Sequence, residues 1–292
     1  MALTKDLTII IPALNEADVI GVVVSELVKN IRKAEIIVVD DGSTDETGKL
    51  ATEAGARVIR HDNSCGYGAA LRTGVMASER EYVLFCDADG QHTSSDVLRV
   101  MEACQDYDMV VGERGKESHV PLVRIPGKWI LRKFTDILAG MKIPDLNSGL
   151  RIVRRNVLLK YLHLMPRGFS FSSTSTFALL KGGYRIRWVP ITVHKRIGQS
   201  SVKQWKHGPQ TMLLILRLVV LFDPLRVFLS VTGFLFVLTL GSLAADITYD
   251  IMYNSRSGIG DVTVTLFIAT LLVFLFGLLC DQVSALRREI HE

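Results

Sequence analysis

The sequence is poor in several things, and each shortage excludes a class of protein. It has 4 cysteines, Cys65, Cys86, Cys104 and Cys280, with no CxxC pair and no zinc spacing among them. A disulfide scaffold or zinc module needs such spacing, so the thiols read as reduced and facing the cytosol. Proline (8) and glycine (23) are too few for a collagen-like or low-complexity chain. The net charge is only +4, with no long Lys/Arg block, too little to argue for a nucleic-acid partner, and none is expected. Met1 to Asp6 lacks the basic and apolar regions of a signal peptide. The expectation is that the first 200 or so residues stay where they are made.

What the sequence does have is unevenly placed. Two runs without a charged residue, Val227–Ala245 and Val262–Cys280, stand near the C-terminus. Each is long enough for the roughly 17–25 residues that span a bilayer core. Two in tandem are hard to bury in a domain this small, which points to a transmembrane pair.

From Leu7 to Gly112, short apolar runs alternate with amphipathic stretches. The runs at 7–11, 36–40, 57–60, 82–86 and 109–112 read as strands, and those near 17–30, 44–54, 67–77 and 94–105 as helices. Strict alternation of this kind predicts an α/β domain with a mostly parallel sheet. Ligands of such sheets bind beyond the carboxyl ends of the strands. Polar clusters stand at those ends: Pro12-Ala-Leu-Asn-Glu16, Asp40-Asp41-Gly42-Ser43 and Asp87-Ala-Asp-Gly-Gln-His92. Ser43 or Thr44, and Ser94 or Ser95, are the expected helix caps. Capping leaves the pair Asp87 and Asp89 unexplained. Two carboxylates one residue apart, with the Gln91 amide, suit a hard divalent cation shared with substrate phosphates; a solvated turn is the bland alternative.

Lys116 to Lys206 is basic and less regular. Within it, Arg196, Ser200 and Lys203, around a turn at Gly198, form either an oxyanion clamp or an ordinary cationic turn. The segment from Trp205 to Phe222 is apolar with a basic entrance, as a helix in the headgroup layer would be; a short buried helix is the other reading. Lys203, Lys206, Arg217 and Arg226 flank one end of the hairpin, and Arg287 and Arg288 the other, while Asp246 to Asp261 carries only Arg256. Positive-inside logic puts both flanks in the cytoplasm. The expected domains are 1–204, an α/β domain; 205–224, a juxtamembrane helix; 225–286, two transmembrane helices (about 227–245 and 262–280) with a short extracytoplasmic loop; and 287–292, a cytosolic tail.

In their order, the motifs PALNE, VVDDGSTD, DADGQ, DLNSGLR and RIGQSSVK resemble the family 2 glycosyltransferases of the GT-A fold, over about Thr8 to Pro224. More narrowly they resemble the polyprenyl-phosphate hexosyltransferases, and the paired spans resemble the bacterial glucosyltransferase subgroup. The resemblance implies a Rossmann-like GT-A domain that moves a hexose, with inversion, from a UDP- or GDP-linked donor to polyprenyl phosphate at the bilayer. It implies Mg²⁺ or Mn²⁺ as cofactor and leaves open whether the chain forms a homo-oligomer. Carried over, Pro12, Ala13, Asn15 and Glu16 belong to the nucleotide pocket, with Asp40 at the base. Asp87, Asp89 and Gln91 belong to the metal and pyrophosphate site, which Ala88 lines. Arg114 and Arg132 are implied as phosphate contacts, Ser148, Gly149 and Arg151 as the acceptor side, and Arg196, Ser200 and Lys203 as a closing loop. Asp89, Arg114, Arg196 and Lys203 form the catalytic set.

Two departures stand out. The segment from Phe169 to Phe177 carries no acid where many relatives have one, so Asp145 is the only loose candidate for a base. The Gln-x-x-Arg-Trp motif of processive synthases is missing, which argues against polymer synthesis. A different lipid acceptor (a diacylglycerol or a lipid-linked oligosaccharide) and a non-catalytic scaffold that binds sugar nucleotide are the rival readings.

Overall fold

A computed structural model describes residues 6–115, 142–168, 170–193, 224–253 and 258–289. These fall into two compact units, one ending at 193 and the other beginning at 224. The expected surface helix over 205–222 lies outside the described residues, as do Arg132, Arg196, Ser200 and Lys203.

The first unit is built as the alternation predicts. Strands β1 (Leu7–Ala13), β2 (Glu35–Asp40), β3 (Arg57–Arg60), β4 (Tyr82–Phe85) and β5 (Met109–Arg114) are separated by helices α1 (Ala17–Asn30), α2 (Thr47–Glu53), α3 (Tyr67–Ala77) and α4 (Ser94–Glu102). Less legible in the sequence are β6 (Arg151–Arg154), α5 (Arg155–Tyr161), α6 (Phe171–Lys181) and β7 (Ile186–Ile191). The sheet order is β3-β2-β1-β4-β6-β5-β7, and only β6 runs antiparallel to its neighbours. β1, β2 and β4 are almost wholly buried, as parallel strands covered on both faces must be. Against them α1 sets Val19, Ile20, Val23, Val24 and Leu27, the inward stripe of an amphipathic helix.

The caps differ from expectation. Thr93, rather than Ser94 or Ser95, caps α4 in a capping box with Asp96. Helix α2 starts after Glu46 without a side-chain cap from that residue, and Ser43, before it, accepts from the Asn15 N–H.

Order and direction of the strands create the site. Winding reverses between β1 and β4, the switch point where such sheets open a crevice. There the β1–β4 ladder stops at Ile10↔Phe85, while β1 stays paired with β2 as far as Ala13↔Asp40. Proline cannot donate to a ladder, and Pro12 falls where a single neighbour remains. Because β6 is antiparallel, its first residue, Arg151, pairs with Phe85. The loop before it therefore arrives at the same edge as Asp87.

The second unit is a helical hairpin of α7 (Pro224–Tyr253) and α8 (Asp261–Glu289), both long and apolar enough to cross a membrane. The first helix runs beyond the charge-free stretch that marked it in the sequence. Asp246 is tolerated in it because its Oδ2 accepts from Gly260 N (2.9 Å) and Thr263 Oγ1 (2.7 Å) on the facing side. Ser242 with Thr263 (2.6 Å) and Thr239 with Thr270 (3.3 Å) add hydroxyl contacts between the helices. In lipid, such bonds contribute about 0.6 kcal/mol each.

Candidate active site

The carboxyl edge of the sheet gathers most of the residues that the sequence singled out. Pro12 and Ala13 end β1, and Asn15 and Glu16 follow it; Asp40 ends β2, and Asp87 to Gln91 follow β4. The first two loops are stitched together. Asn15, at φ 54°, accepts from Thr44 N (2.8 Å) through Oδ1, and Glu16 N donates to Thr47 Oγ1 (2.9 Å). Asp40 is fully buried; its Oδ1 accepts from Ser43 N at 2.8 Å. Its Oδ2 receives no hydrogen bond, and Arg60 Nε stands 3.8 Å away. A buried oxygen in that state has room for one more donor.

Asp41, which the sequence reading left without a role, is the hub of the next loop. It accepts from Ser64 Oγ, Cys65 N and Gly66 N at 2.8–2.9 Å, and it meets His61 Nδ1 at 2.7 Å. Burial alone would raise its pKa. The Cys65 N–H, then His61, outweigh that and hold it below the ordinary value.

Asp87 and Asp89 follow β4 on a turn that Gly90 makes at φ +70°. Asp87 Oδ1 accepts from the Tyr67 hydroxyl at 2.9 Å, and Asp89 Oδ1 from Gln91 N at 3.1 Å. Asp89 is 8% exposed. Ala88 is buried in the core. Gly149 packs so tightly here that a Cβ would overlap the Asp87 carboxylate. That contact explains the glycine in the 145–151 motif. The two aspartates offer the hard oxygens that Mg²⁺ or Mn²⁺ takes alongside substrate phosphates and water, so the donor set fits such an ion.

On the other side of β4, Arg114 and Asp145 form a two-pronged pair, Nε–Oδ2 2.7 Å and Nη2–Oδ1 2.9 Å. Burial pushes the Asp145 carboxyl up, but the Arg114 hydrogen bond and charge hold it below its usual range.

Two residues of the expected acceptor side are buried. Arg151 is 0% exposed. Its donors go to the carbonyls of Ser148, Ser172 and Leu146 and to Ser175 Oγ (3.1 Å) and Thr176 Oγ1 (3.0 Å). Burial lowers its pKa to about 10, which still leaves it charged at neutral pH. From Phe171 on, the acid-free segment is therefore the first turns of α6, a hydroxyl-lined slot for a buried arginine. Ser148 is equally buried, and its Oγ is without a hydrogen-bond partner.

The family model for glycosyl transferase family 2 matches residues 8–162, and that for the GtrB C-terminal hairpin matches 223–286. The chain belongs to glycosyltransferase family 2. Glycosyltransferase AglJ of Haloferax volcanii is 30% identical over 291 residues, covering 96% of this chain and 94% of that one. The undecaprenyl-phosphate mannosyltransferase of Micrococcus luteus is 29% identical over 208 residues, 66% of this chain and 86% of that one. The crystal structure of glucosyl-3-phosphoglycerate synthase from Mycobacterium tuberculosis with Mn²⁺, UDP and glucosyl-3-phosphoglycerate superposes with a TM-score of 0.59. It is 19% identical, over 73% of this chain and 78% of that one, and shows the shared fold. The chain is thus a glycosyltransferase with a GT-A domain and a helical hairpin. Tyr67, which reaches Asp87, stands outside the sequence motifs. The signal was available in Gly66-Tyr67-Gly68, which falls between β3 and α3 at the same edge.

Proposed function

We propose that this glycosyltransferase moves a hexose from UDP or GDP onto a polyprenyl phosphate at the cytoplasmic face of a membrane, inverting the anomeric centre. The observation that carries the reading is the state of Asp145. A general base works best with a pKa near the operating pH; Asp145 is held below its ordinary value by Arg114. An alcohol acceptor would need its proton removed. A phosphate monoester is already an anion at neutral pH.

The reaction is then one displacement. A phosphate oxygen of the acceptor forms a bond to the anomeric carbon, and the bond from that carbon to the diphosphate oxygen breaks. The electron pair leaves with the nucleoside diphosphate. Asp87 and Asp89, with Gln91, would hold a divalent cation, which when bound supplies positive charge to the leaving diphosphate. Asp40 Oδ2 would take the imino N–H of the base, which uracil and guanine both possess. Arg196, Ser200 and Lys203 would close over the phosphates, and Arg114 and Arg132 would add positive charge to either substrate.

The hairpin accounts for access to a lipid substrate. Tethering a catalytic domain to the bilayer replaces part of the entropic cost of meeting a lipid phosphate. The relative from Micrococcus luteus, named for an undecaprenyl phosphate substrate, supports this acceptor class. Positive-inside flanks support cytoplasmic termini. The test is to incubate the purified full-length protein with a panel of radiolabelled UDP- and GDP-hexoses and polyprenyl phosphate. Label in an organic-soluble, mild-acid-labile product is expected. Failure of every donor would contradict the assignment.

A further inference from the structure

Helix α3 delivers one side chain to the aspartate pair, and that side chain is Tyr67. We propose that Tyr67 is a positioning residue of the diphosphate site: its hydroxyl fixes the Asp87 carboxylate in the orientation that receives a divalent cation. The proposal deepens the glycosyl-transfer reading and rests on it.

Asp87 is gripped from two sides. The Tyr67 hydroxyl donates to Oδ1 at 2.9 Å, and the backbone of Gly149 closes against the carboxylate so tightly that no Cβ fits. With one oxygen tied and one flank walled, rotation about the Asp87 side chain is restricted. A carboxylate held in this way meets a cation without first losing rotamer freedom.

Tyr67 is itself anchored on both sides of its own backbone. Just before it, Ser64, Cys65 and Gly66 all donate to Asp41, the carboxylate that also meets His61. Just after it, Ala69 N donates to Arg167 O at 3.1 Å. These bonds fix the entry to α3 and hence the place from which the phenol reaches Asp87. The contact is a phenol hydroxyl donating to a carboxylate oxygen.

Partners of metal ligands typically control affinity by about 10- to 100-fold when they are removed. Tyr67→Phe deletes the hydroxyl and keeps the ring. The experiment is a Mn²⁺ titration followed by electron paramagnetic resonance, on full-length protein in detergent with saturating UDP or GDP. Wild type, Tyr67→Phe, Asp87→Asn and the double variant are compared, with melting temperatures measured alongside. Tyr67→Phe is expected to raise the Mn²⁺ Kd by about 10- to 100-fold with an unchanged melting temperature. The double variant is expected to bind no worse than Asp87→Asn, because Tyr67 acts through that carboxylate. In turnover, excess Mn²⁺ should restore kcat to the Tyr67→Phe enzyme. A Kd within twofold of wild type, or a full additional loss in the Asp87→Asn background, overturns the proposal. Absence of Mn²⁺ binding by the wild type with either nucleotide overturns the metal reading beneath it.

Discussion

The Arg114 guanidinium grips the Asp145 carboxylate through two hydrogen bonds, 2.7 and 2.9 Å long. The planar fork matches the carboxylate, a geometry that lysine cannot reproduce. The pair joins the end of β5 to the loop that precedes β6, and it occupies the acid that the sequence offered as a base. Asp145→Asn should therefore slow transfer by no more than about tenfold, against the 10²–10⁴-fold that loss of a general base costs. The pH dependence follows in sign. A carboxyl whose folded pKa is depressed adds stability above its unfolded value of 3.8, lost as pH falls through the lowered value. Asp145→Asn should thus flatten the acid limb of a thermal-stability profile and leave the kcat/KM profile near neutrality unchanged.

Asp89 makes the opposite prediction. Asp89→Asn keeps the turn, because an amide oxygen can still accept from Gln91 N, but it removes the charge. Transfer should be abolished while the melting temperature stays within a few degrees of wild type. EDTA should have the same effect on the wild type, reversed by Mg²⁺ or Mn²⁺. Full turnover in EDTA would sink the cation site.

Arg151 distinguishes a structural from a substrate-binding role. Arg151→Leu takes the arginine donors from the carbonyls of Ser148 and Leu146, at about 1–3 kcal/mol for each buried group left unpaired, while Ser175 and Thr176 keep their bonds to the Ser172 carbonyl. A loss of stability large enough to lower the melting temperature by many degrees is expected. A phosphate contact would instead leave the melting temperature alone and raise the KM for lipid.

Arg196 and Lys203 are carried by the order of motifs alone. If Arg196 closes on the diphosphate as proposed, Arg196→Ala removes a charge-assisted contact of about 1.5–3 kcal/mol, so kcat/KM should fall about 10- to 150-fold. Lys203→Ala should be milder. The measurement is kinetics in detergent with saturating lipid; wild-type turnover there would make both residues ordinary headgroup anchors.

The sequence made the first five strands readable for a physical reason: buried parallel strands appear as unbroken apolar runs such as Ile9-Ile-Ile11 and Ile36-Ile-Val-Val39. Their order placed Asp40 and Asp87 at one edge before any geometry was known. Helix α6 was illegible because Ser172 to Thr176 is a poor helix former by composition. Its burial depends on Arg151, a partner some twenty residues away. Nor did the sequence disclose that Arg114 occupies Asp145 or that Tyr67 reaches Asp87. Both are tertiary pairings, set by an antiparallel strand and by the Asp41 hub, and neither leaves a local period. The helices of the hairpin run past the charge-free stretches for a similar reason: Asp246 continues the first helix because Gly260 and Thr263 satisfy its carboxylate.

The central claim is that the acceptor brings its own negative charge, so the protein need not supply a base. The most direct measurement compares the purified full-length protein on a polyprenyl phosphate and on the free polyprenol of the same length, with one labelled donor. The account predicts turnover with the phosphate and a rate at least about 100-fold lower with the alcohol, the smallest contribution expected of a general base. Equal rates on the two lipids would contradict it.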